Sequence, residues 1–309
     1  MLDVGGVRLV TPQVWPGVSA WMGLFPAPEP VVRQVLPSQA LHPVTWPGGR
    51  ALVAVLASRQ PLFPVRRENG SVHLGAPLGA VLVGPLVGLG HRPRPWSLAQ
   101  LGRPGSSLGV LQWFLPLTSR PGRDAGRQEW GEPKFLADLT FRENREDRSV
   151  TVAEDGRLVL GLQTVRPGVL RPYAASLYHY TCTEDRLFRF RIDTRGWRHL
   201  RLRPGAATLT FGHHPVADLL RALGVATRGI AAMTIVDDYE LEHAAEDLGP
   251  ARRVLPPYLG LDRISGELVG DYPDTGPIDL LAGLSEEHKR LSVPAGPSTH
   301  GTPLHRVSR

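Results

Sequence analysis

Hydrophobic residues along this chain fall in short runs that are interrupted by glycine and proline. Residues 50–58 (RALVAVLAS), 81–88 (VLVGPLVG) and 108–117 (LGVLQWFLPL) are almost wholly apolar, which predicts buried strands. Residues 1–50 contain eight prolines and predict irregular structure. This pattern is typical of many short strands joined by tight turns.

Three hairpins are predicted in the middle of the chain, because turn residues there separate alternating or continuous apolar runs. The hairpins span residues 149–165, 175–194 and 197–212, with turns near 154–156, 183–185 and 203–205. Turn signals every ten or so residues favour a closed or strongly curved sheet, whose inward-facing side chains line a cavity.

Two helices are predicted. Residues 214–224 have apolar positions at helical spacing between Pro215 and Gly224, and residues 284–291 include the N-cap candidate Ser285 near their start. The predicted fold class is therefore mainly β (α+β), with curved antiparallel sheets that form a cone-like or barrel-like cavity and a few peripheral helices. Residues 1–285 are expected to form one domain, and residues 286–309 a short helix end and a disordered C-terminal tail.

Composition narrows the classes of function. The net charge of +6 and pI near 10.0 favour a polyanion partner, but no nucleic-acid-binding module is visible, so no nucleic acid is expected. The longest charge-free apolar stretch, residues 74–90, is too short and too rich in glycine and proline to span a bilayer, so no membrane partner is expected. A lone cysteine, Cys182, fits a reducing compartment, which predicts a cytoplasmic protein. Homo-oligomerisation is left open.

Lysine is rare in this chain. Lys134 and Lys289 are the two lysines among 35 basic residues. Only an amine can lose its proton in apolar surroundings and become a nucleophile, since a guanidinium stays charged. If residues 130–136 form a strand, Lys134 shares a face with Trp130, Glu132 and Leu136. The alternative is an idle ion pair between Glu132 and Lys134.

Residues 126–137 (GRQEWGEPKFLA) resemble the signature of the acetoacetate decarboxylase family. The resemblance extends faintly over residues 30–250, and it implies a cone-like curved antiparallel sheet that encloses a cavity. It also implies that Lys134 forms a Schiff base with a small-molecule keto acid, whose iminium accepts the electrons released with carbon dioxide. No metal and no organic cofactor is implied.

The chain departs from the family pattern at two positions. Phe135 stands where the family has a second lysine, and Ala80 stands where the family has a pocket glutamate. Both departures favour the alternatives to decarboxylation. One is a non-catalytic protein of the same fold that binds a small molecule, and the other is aldolase or dehydratase chemistry on a keto acid.

The leading hypothesis is a Schiff-base lyase that acts on a keto acid through Lys134. Glu132 and Glu129 are the candidate acid or base, and Arg127 the candidate partner of the substrate carboxylate. Trp130 and Leu136 are expected to exclude water from the Lys134 amine.

Three other groups of residues are interpreted as structural. His214 is predicted to cap a helix or to lie in the core. The acidic residues between 237 and 242 are predicted to be solvated. The arginines between 186 and 203 alternate with aromatic residues, which predicts a solvated face; a cavity lining that binds carboxylates and a polyanion-binding strip are the alternatives.

Overall fold

A closed barrel of seven strands forms the centre of the fold. The computed structural model describes residues 2–4, 7–9, 13–60, 63–66, 72–75, 78–93, 108–183 and 185–261. Numbered in chain order, the barrel strands are β4 (Ser19–Pro28), β7 (Arg50–Gln60), β10 (Leu78–Leu89), β11 (Leu108–Leu111), β17 (Arg171–Cys182), β18 (Arg186–Leu202) and β20 (Ala231–Glu242). They pair in the order β10–β11–β17–β18–β20–β4–β7, and β7 pairs with β10 to close the ring. Only the β11–β17 pairing within this ring is parallel, so the barrel is mixed.

Further strands and three helices surround the barrel. The barrel sheet is extended by β3 (Gln13–Pro16), β5 (Leu41–Pro43), β6 (Thr45–Trp46), β12 (Leu115–Leu117), β13 (Lys134–Leu136) and β21 (Glu246–Pro250). A second, antiparallel sheet consists of β14 (Asp138–Glu143), β15 (Asp147–Glu154), β16 (Arg157–Val165) and β19 (Ala207–Phe211). Two hairpins are formed by β1 (Leu2–Val4) with β2 (Val7–Leu9) and by β8 (Phe63–Arg66) with β9 (Val72–Gly75). The helices are α1 (Glu29–Gln34), α2 (Arg120–Trp130) and α3 (Pro215–Ala222).

The barrel wall is buried on both sides, which explains why its strands are apolar without alternation. In β7, Val53 and Val55 belong to the larger core, which the barrel shares with the second sheet, α1 and α3. Leu52 and Ala54, on the opposite face of β7, belong to the smaller core inside the barrel. The predicted buried strands at 50–58 and 81–88 are thereby confirmed as parts of β7 and β10.

Two of the three predicted hairpins are confirmed. β15 and β16 turn at Asp155 and Gly156, which both have positive φ as a two-residue hairpin turn requires. β17 and β18 pair along their length as the second hairpin. The predicted hairpin at 197–212 is wrong. The chain does turn near Gly205, but β18 stays in the barrel whereas β19 pairs with β16 in the second sheet.

Two stretches differ from the predicted strand pattern. Residues 108–117 form two strands, β11 and β12, which have different partners. β11 pairs with β17 and with residues 86–88 near the end of β10, whereas β12 lies between β10 and β13. Residues 1–50 were expected to be irregular, yet β4 is ten residues long. The pairing of β4 with β20 ends at Leu24, before Pro26 and Pro28. The N–H groups that these prolines lack are therefore not needed for that pairing.

The helix at 214–224 is confirmed as α3. His214 is fully buried and caps it, with the Val216 N–H donating to His214 Nδ1 over 3.2 Å, and Gly224 follows with φ +68°. The predicted helix at 284–291 and the tail lie outside the described residues. Within the described part of the chain, no helix has both the length and the apolarity needed to cross a membrane.

Candidate active site

The barrel encloses a cavity of about 160 Å³. Most of its wall is apolar and is supplied by alternate residues of the barrel strands, such as Met22, Leu56, Leu82 and Met233. The polar residues in the lining are Gln13, Ser58, Gln60, Glu132, Lys134, Tyr173, His179, Thr194, Arg198, Asp237, Glu240 and Glu242. An apolar chamber with a few convergent polar groups is the usual form of a small-molecule site.

The segment that carries Lys134 is a helix end followed by a short strand. Residues 126–130 belong to α2, so the predicted strand over 130–136 is wrong for its first half. Ser119 caps α2, and its Oγ accepts from the Gly122 N–H over 3.1 Å. Pro121 in the first turn suits the start of a helix. Gly131 has φ +62° and ends the helix in a left-handed cap.

Lys134 then begins β13, which runs parallel to β12 with Lys134 opposite Leu115. The Lys134 side chain projects into the cavity and is 14% exposed. Its Nζ contacts the Glu132 carboxylate and lies 5.9 Å from the centroid of the Trp130 ring. The structure therefore combines the two arrangements that the sequence left open, because the amine is paired with a carboxylate and also borders the cavity.

The other oxygen of the Glu132 carboxylate contacts a buried pair of polar residues, Gln112 and His179. Gln112 Nε2 donates to Glu132 Oε1 over 2.9 Å and lies 3.0 Å from His179 Nδ1. Burial, and then the nearby positive charge of Lys134, lower the pKa of His179 to about 3. His179 is therefore neutral at neutral pH, and its Nδ1 accepts from Gln112.

Gly126 provides the space for the Lys134 amine. A Cβ atom at position 126 would collide with Lys134 Nζ and with Glu132 Oε2. The residue lies in the middle of α2, where glycine is otherwise unfavourable by about 1 kcal/mol relative to alanine. The absence of a side chain there allows α2 to pack directly against the two groups.

We expect Gly126→Ala to retain the fold but to displace the amine. A misplacement of about 1 Å can cost about 10²-fold in rate, so covalent capture of a keto acid by Lys134 should slow by that order. The rate is measured by mass spectrometry after borohydride reduction. Gly161→Ala is the matched control, because a Cβ at position 161 would meet Thr210 Cβ at an ordinary 3.7 Å. Equal capture rates in the two variants would contradict the packing argument.

Three carboxyl groups on β20 enter the same cavity. Asp237, Glu240 and Glu242 all belong to the lining, although residues 237–242 were predicted to be solvated. Strict alternation would place 237 and 240 on opposite faces. A β-bulge corrects this, because Arg195 pairs with Tyr239 and Gly196 pairs with Asp237, which leaves Asp238 as the extra residue.

Glu242 is the acid of this group that is electrostatically linked to the lysine. Its Oε2 accepts from Trp15 Nε1 over 3.1 Å. Burial, and then the negative charge of Glu132, raise the pKa of Glu242 to about 7, while the positive charge of Lys134 opposes this shift. This carboxyl therefore keeps its proton to a higher pH than an ordinary glutamate does, which suits a general acid.

The other predicted site residues divide between the cavity and the surrounding structure. Trp130 lines the cavity, and its Nε1 donates to the His243 carbonyl over 2.9 Å. Leu136 is half-buried and lies outside the lining. Glu129 also lies outside the lining, and its negative charge helps to raise the pKa of Glu242.

Arg127 does not occupy the position that its predicted role requires. Its guanidinium is buried beneath β13, where Nε donates to the Lys134 carbonyl over 2.9 Å and Nη2 to the Leu259 carbonyl over 2.8 Å. It lies outside the cavity lining, so the expectation that Arg127 binds a substrate carboxylate is corrected. Its contact instead positions the backbone of Lys134.

The two positions that depart from the family signature lie in different parts of the structure, one in the cavity wall and one in the larger core. Ala80 lines the cavity, so its methyl group contributes an apolar surface there. Phe135 is fully buried and points into the larger core, where its ring meets Tyr258 edge-on at 4.9 Å. Position 135 therefore supplies no cation to the cavity.

The arginines of β18 mostly form the predicted solvated face. Arg189 pairs with Glu246 and Arg191 with Asp193 outside the barrel. Arg198 is the exception, because it lines the cavity and its guanidinium carbon lies 5.3 Å from the centroid of the Tyr173 ring. No group of three His, Cys, Asp or Glu in the described residues is arranged to hold a metal ion.

The chain has the fold of the acetoacetate decarboxylase-like superfamily. It is similar to an acetoacetate decarboxylase from Legionella pneumophila, with 10% identity and a TM-score of 0.56 over 80% of this chain and 90% of that chain. It is also similar to the enduracididine biosynthesis enzyme MppR complexed with pyruvate, with 13% identity and a TM-score of 0.54 over 78% of this chain and 92% of that chain. No family model and no curated protein matches the sequence. At these identities the likeness establishes the fold.

Proposed function

We propose that this protein is a Schiff-base lyase that acts on a keto acid through Lys134. The observation that carries the proposal is the placement of the Lys134 amine, which borders an apolar chamber inside the barrel and contacts one carboxylate. A buried amine beside a proton acceptor is the arrangement that amine nucleophiles require. Two structural neighbours, an acetoacetate decarboxylase and MppR with pyruvate, support a keto acid as the ligand class.

The first half of the reaction forms an iminium. The Lys134 ammonium passes a proton to Glu132, and the neutral amine attacks the carbonyl carbon of the keto acid. The carbonyl oxygen receives one proton from the attacking nitrogen and one from Glu132 and leaves as water, so that a C=N⁺ bond joins substrate and lysine. Trp130 and the aliphatic wall keep bulk water from the reacting carbon.

The second half uses the iminium as an electron sink. In a β-keto acid, the bond to the carboxylate breaks, carbon dioxide leaves, and the electron pair forms an enamine. Glu242 then protonates the enamine carbon, and water hydrolyses the resulting iminium to release the ketone and Lys134. Glu242 takes the role that Ala80 cannot perform, because it holds a proton at neutral pH.

Carbon–carbon bond formation is the second candidate. MppR has been observed with the condensation product of pyruvate and imidazole 4-carboxaldehyde, at a TM-score of 0.51 to this chain. With pyruvate, a carboxylate such as Glu132 would take a methyl proton from the iminium, which gives an enamine without loss of carbon dioxide. This enamine would attack an aldehyde carbon, and the aldehyde oxygen would take up the proton. Product analysis separates the two outcomes, since decarboxylation releases carbon dioxide and condensation consumes the aldehyde.

The test is reductive trapping. The protein is incubated with acetoacetate or pyruvate and sodium borohydride, and the adduct is located by intact mass and peptide mapping. One adduct is expected on Lys134 and none on Lys289, which serves as the internal control because these are the two lysines of the chain. Absence of an adduct with every keto acid, or equal labelling of both lysines, would favour a non-catalytic binding protein instead.

A further inference from the structure

A second polar region of the cavity lies beside the bulge of β20 and has no task in the proposed reaction. It contains Asp237 and Glu240 on β20, Tyr173 on β17 and Thr194 on β18. The Tyr173 hydroxyl donates to Asp237 Oδ1, and Thr194 Oγ1 donates to the Tyr173 oxygen over 3.2 Å. We call these four residues the acidic end of the cavity.

The Asp237 carboxyl is buried, and one of its two oxygens has no hydrogen-bond donor. Its side chain is 2% exposed, and its Oδ2 atom receives no N–H or hydroxyl donor from the protein. The carboxyl of Glu240 lines the same cavity, and the negative charge of Asp237 acts on it. Two neighbouring carboxyl groups disfavour each other's ionised form.

Burial and mutual repulsion oppose ionisation of both carboxyl groups. Burial raises the pKa of Asp237 to about 6, and burial together with the negative charge of Asp237 raises the pKa of Glu240 well above its ordinary value. Burial and the Asp237 charge also raise the pKa of Tyr173, so its hydroxyl remains a donor. Each of these two carboxyl groups therefore holds its proton more tightly than an exposed carboxyl group does.

No cation of the described protein neutralises this pair. Among the described residues, neither Asp237 nor Glu240 forms an ion pair with a lysine, arginine or histidine. Arg198 lies in the same lining, but its guanidinium stacks over the Tyr173 ring. Asp238 and Glu242, the other charged groups that act on the pair, are themselves acidic.

A second buried acceptor lies at the same level of the barrel. Gln60 pairs with Leu78 at the end of β7, and the register through β4 places Gln60 level with Asp237. Gln60 also lines the cavity, and its buried Oε1 atom has no partner. The region thus contains two carboxyl groups and buried acceptors without partners beside the same chamber, and buried polar atoms normally have partners.

We propose that the acidic end of the cavity binds a cationic group with several N–H donors, a guanidinium or an ammonium, on the substrate. The identity of the rest of the ligand as a keto acid rests on the proposed function. Asp237 and Glu240 would accept N–H donors side by side, the geometry that a guanidinium fits best. Binding would favour the ionised form of both carboxyl groups, because a nearby cation stabilises carboxylates.

The binding test uses two isosteric probes without a keto group. Calorimetry is run with n-propylguanidinium and with n-propylurea, which has the same shape but no charge. The guanidinium should bind at least about tenfold more tightly, and at pH 6 its binding should release protons, detected in buffers of different ionisation enthalpy. Equal binding of the two probes, or binding of neither, would overturn the proposal.

Variants separate this site from the lysine chemistry. Glu240→Gln and Asp237→Asn should each weaken the guanidinium probe by about tenfold or more, and each should reduce proton release. Glu246→Gln, on the outer face of the barrel, is the matched control and should keep wild-type affinity. If Asp237→Asn fails to fold, Glu240→Gln alone decides the point, and unchanged affinity in that variant would refute the role.

The two proposals fail in different ways. Lys134→Ala should still bind n-propylguanidinium, since the probe makes no bond to the amine. If no keto acid is trapped on Lys134 but the guanidinium probe binds, the cation site stands and the lyase function does not. If alkyl keto acids are trapped while the guanidinium probe does not bind, the lyase function stands and the cation site is abandoned.

Discussion

Replacing Lys134 with alanine is expected to abolish turnover of the keto acid that the wild-type protein traps. Without the amine no iminium forms, and the electrons of the breaking bond have no acceptor. Loss of a covalent nucleophile costs at least about 10³-fold in turnover. The measurement is the release of carbon dioxide, or the loss of substrate followed by NMR, under saturating keto acid.

Lys134→Arg is the control that separates chemistry from folding. An arginine keeps the positive charge beside Glu132, but its guanidinium does not act as a nucleophile. This variant should fold, bind and remain inactive. In Lys134→Ala, added ethylamine should restore part of the activity, because it fits the space left by the side chain. Activity in the arginine variant close to that of the wild type would refute a covalent mechanism.

Replacing Glu242 with glutamine is expected to have the second-largest effect. A positioned general acid contributes about 10²- to 10⁴-fold, and glutamine has no proton to give to the enamine. Trapping by borohydride should survive, because iminium formation does not use Glu242. The test therefore compares the rate of product release with the yield of trapped adduct in the same variant.

The pH profile gives an independent measure of Glu242. Its raised pKa of about 7 means that the acid form prevails below this pH, so activity should fall as pH rises through about 7. The Trp15 hydrogen bond lowers the pKa of Glu242, so Trp15→Phe should move this limb to higher pH. Glu246→Gln should leave the limb in place, because Glu246 lies on the outer face. A limb that persists in Glu242→Gln would assign it to another group.

Much of the fold could be predicted because apolar runs and turn residues are local signals. The strand over 50–58 and the turn at Asp155 and Gly156 were predicted from a few neighbouring residues. Strand partners were harder, since they depend on residues distant in sequence. The hairpin predicted at 197–212 failed for that reason, because a turn alone does not determine which sheet the next strand joins.

The candidate site was predicted in part. Lys134 and its neighbour Glu132 were identified because lysine is rare here and the surrounding motif resembles a known signature. Arg127 belongs to the same motif, but it lies on the opposite side of the helix end and binds main-chain carbonyls. Sequence spacing could not show that Lys134 faces the cavity while Arg127 does not, since the change from α2 to β13 alters which residues share a face.

The acids of β20 could not have been found in this way. Glu242 is about a hundred residues from Lys134, and an acidic stretch is ordinarily solvated. The bulge at Asp238 also breaks the alternation that would have indicated which acids face inward. Only closure of the barrel brings β20 to the cavity that holds the lysine.

The amino-acid sequence by itself determined that this is a chain of short strands and turns with one unusual amine, because those properties depend on residue type and near neighbours. The tertiary structure decided which carboxyl groups accompany that amine. It did so because barrel closure and a single bulge bring distant side chains into one apolar chamber, where burial makes their proton affinities depend on one another.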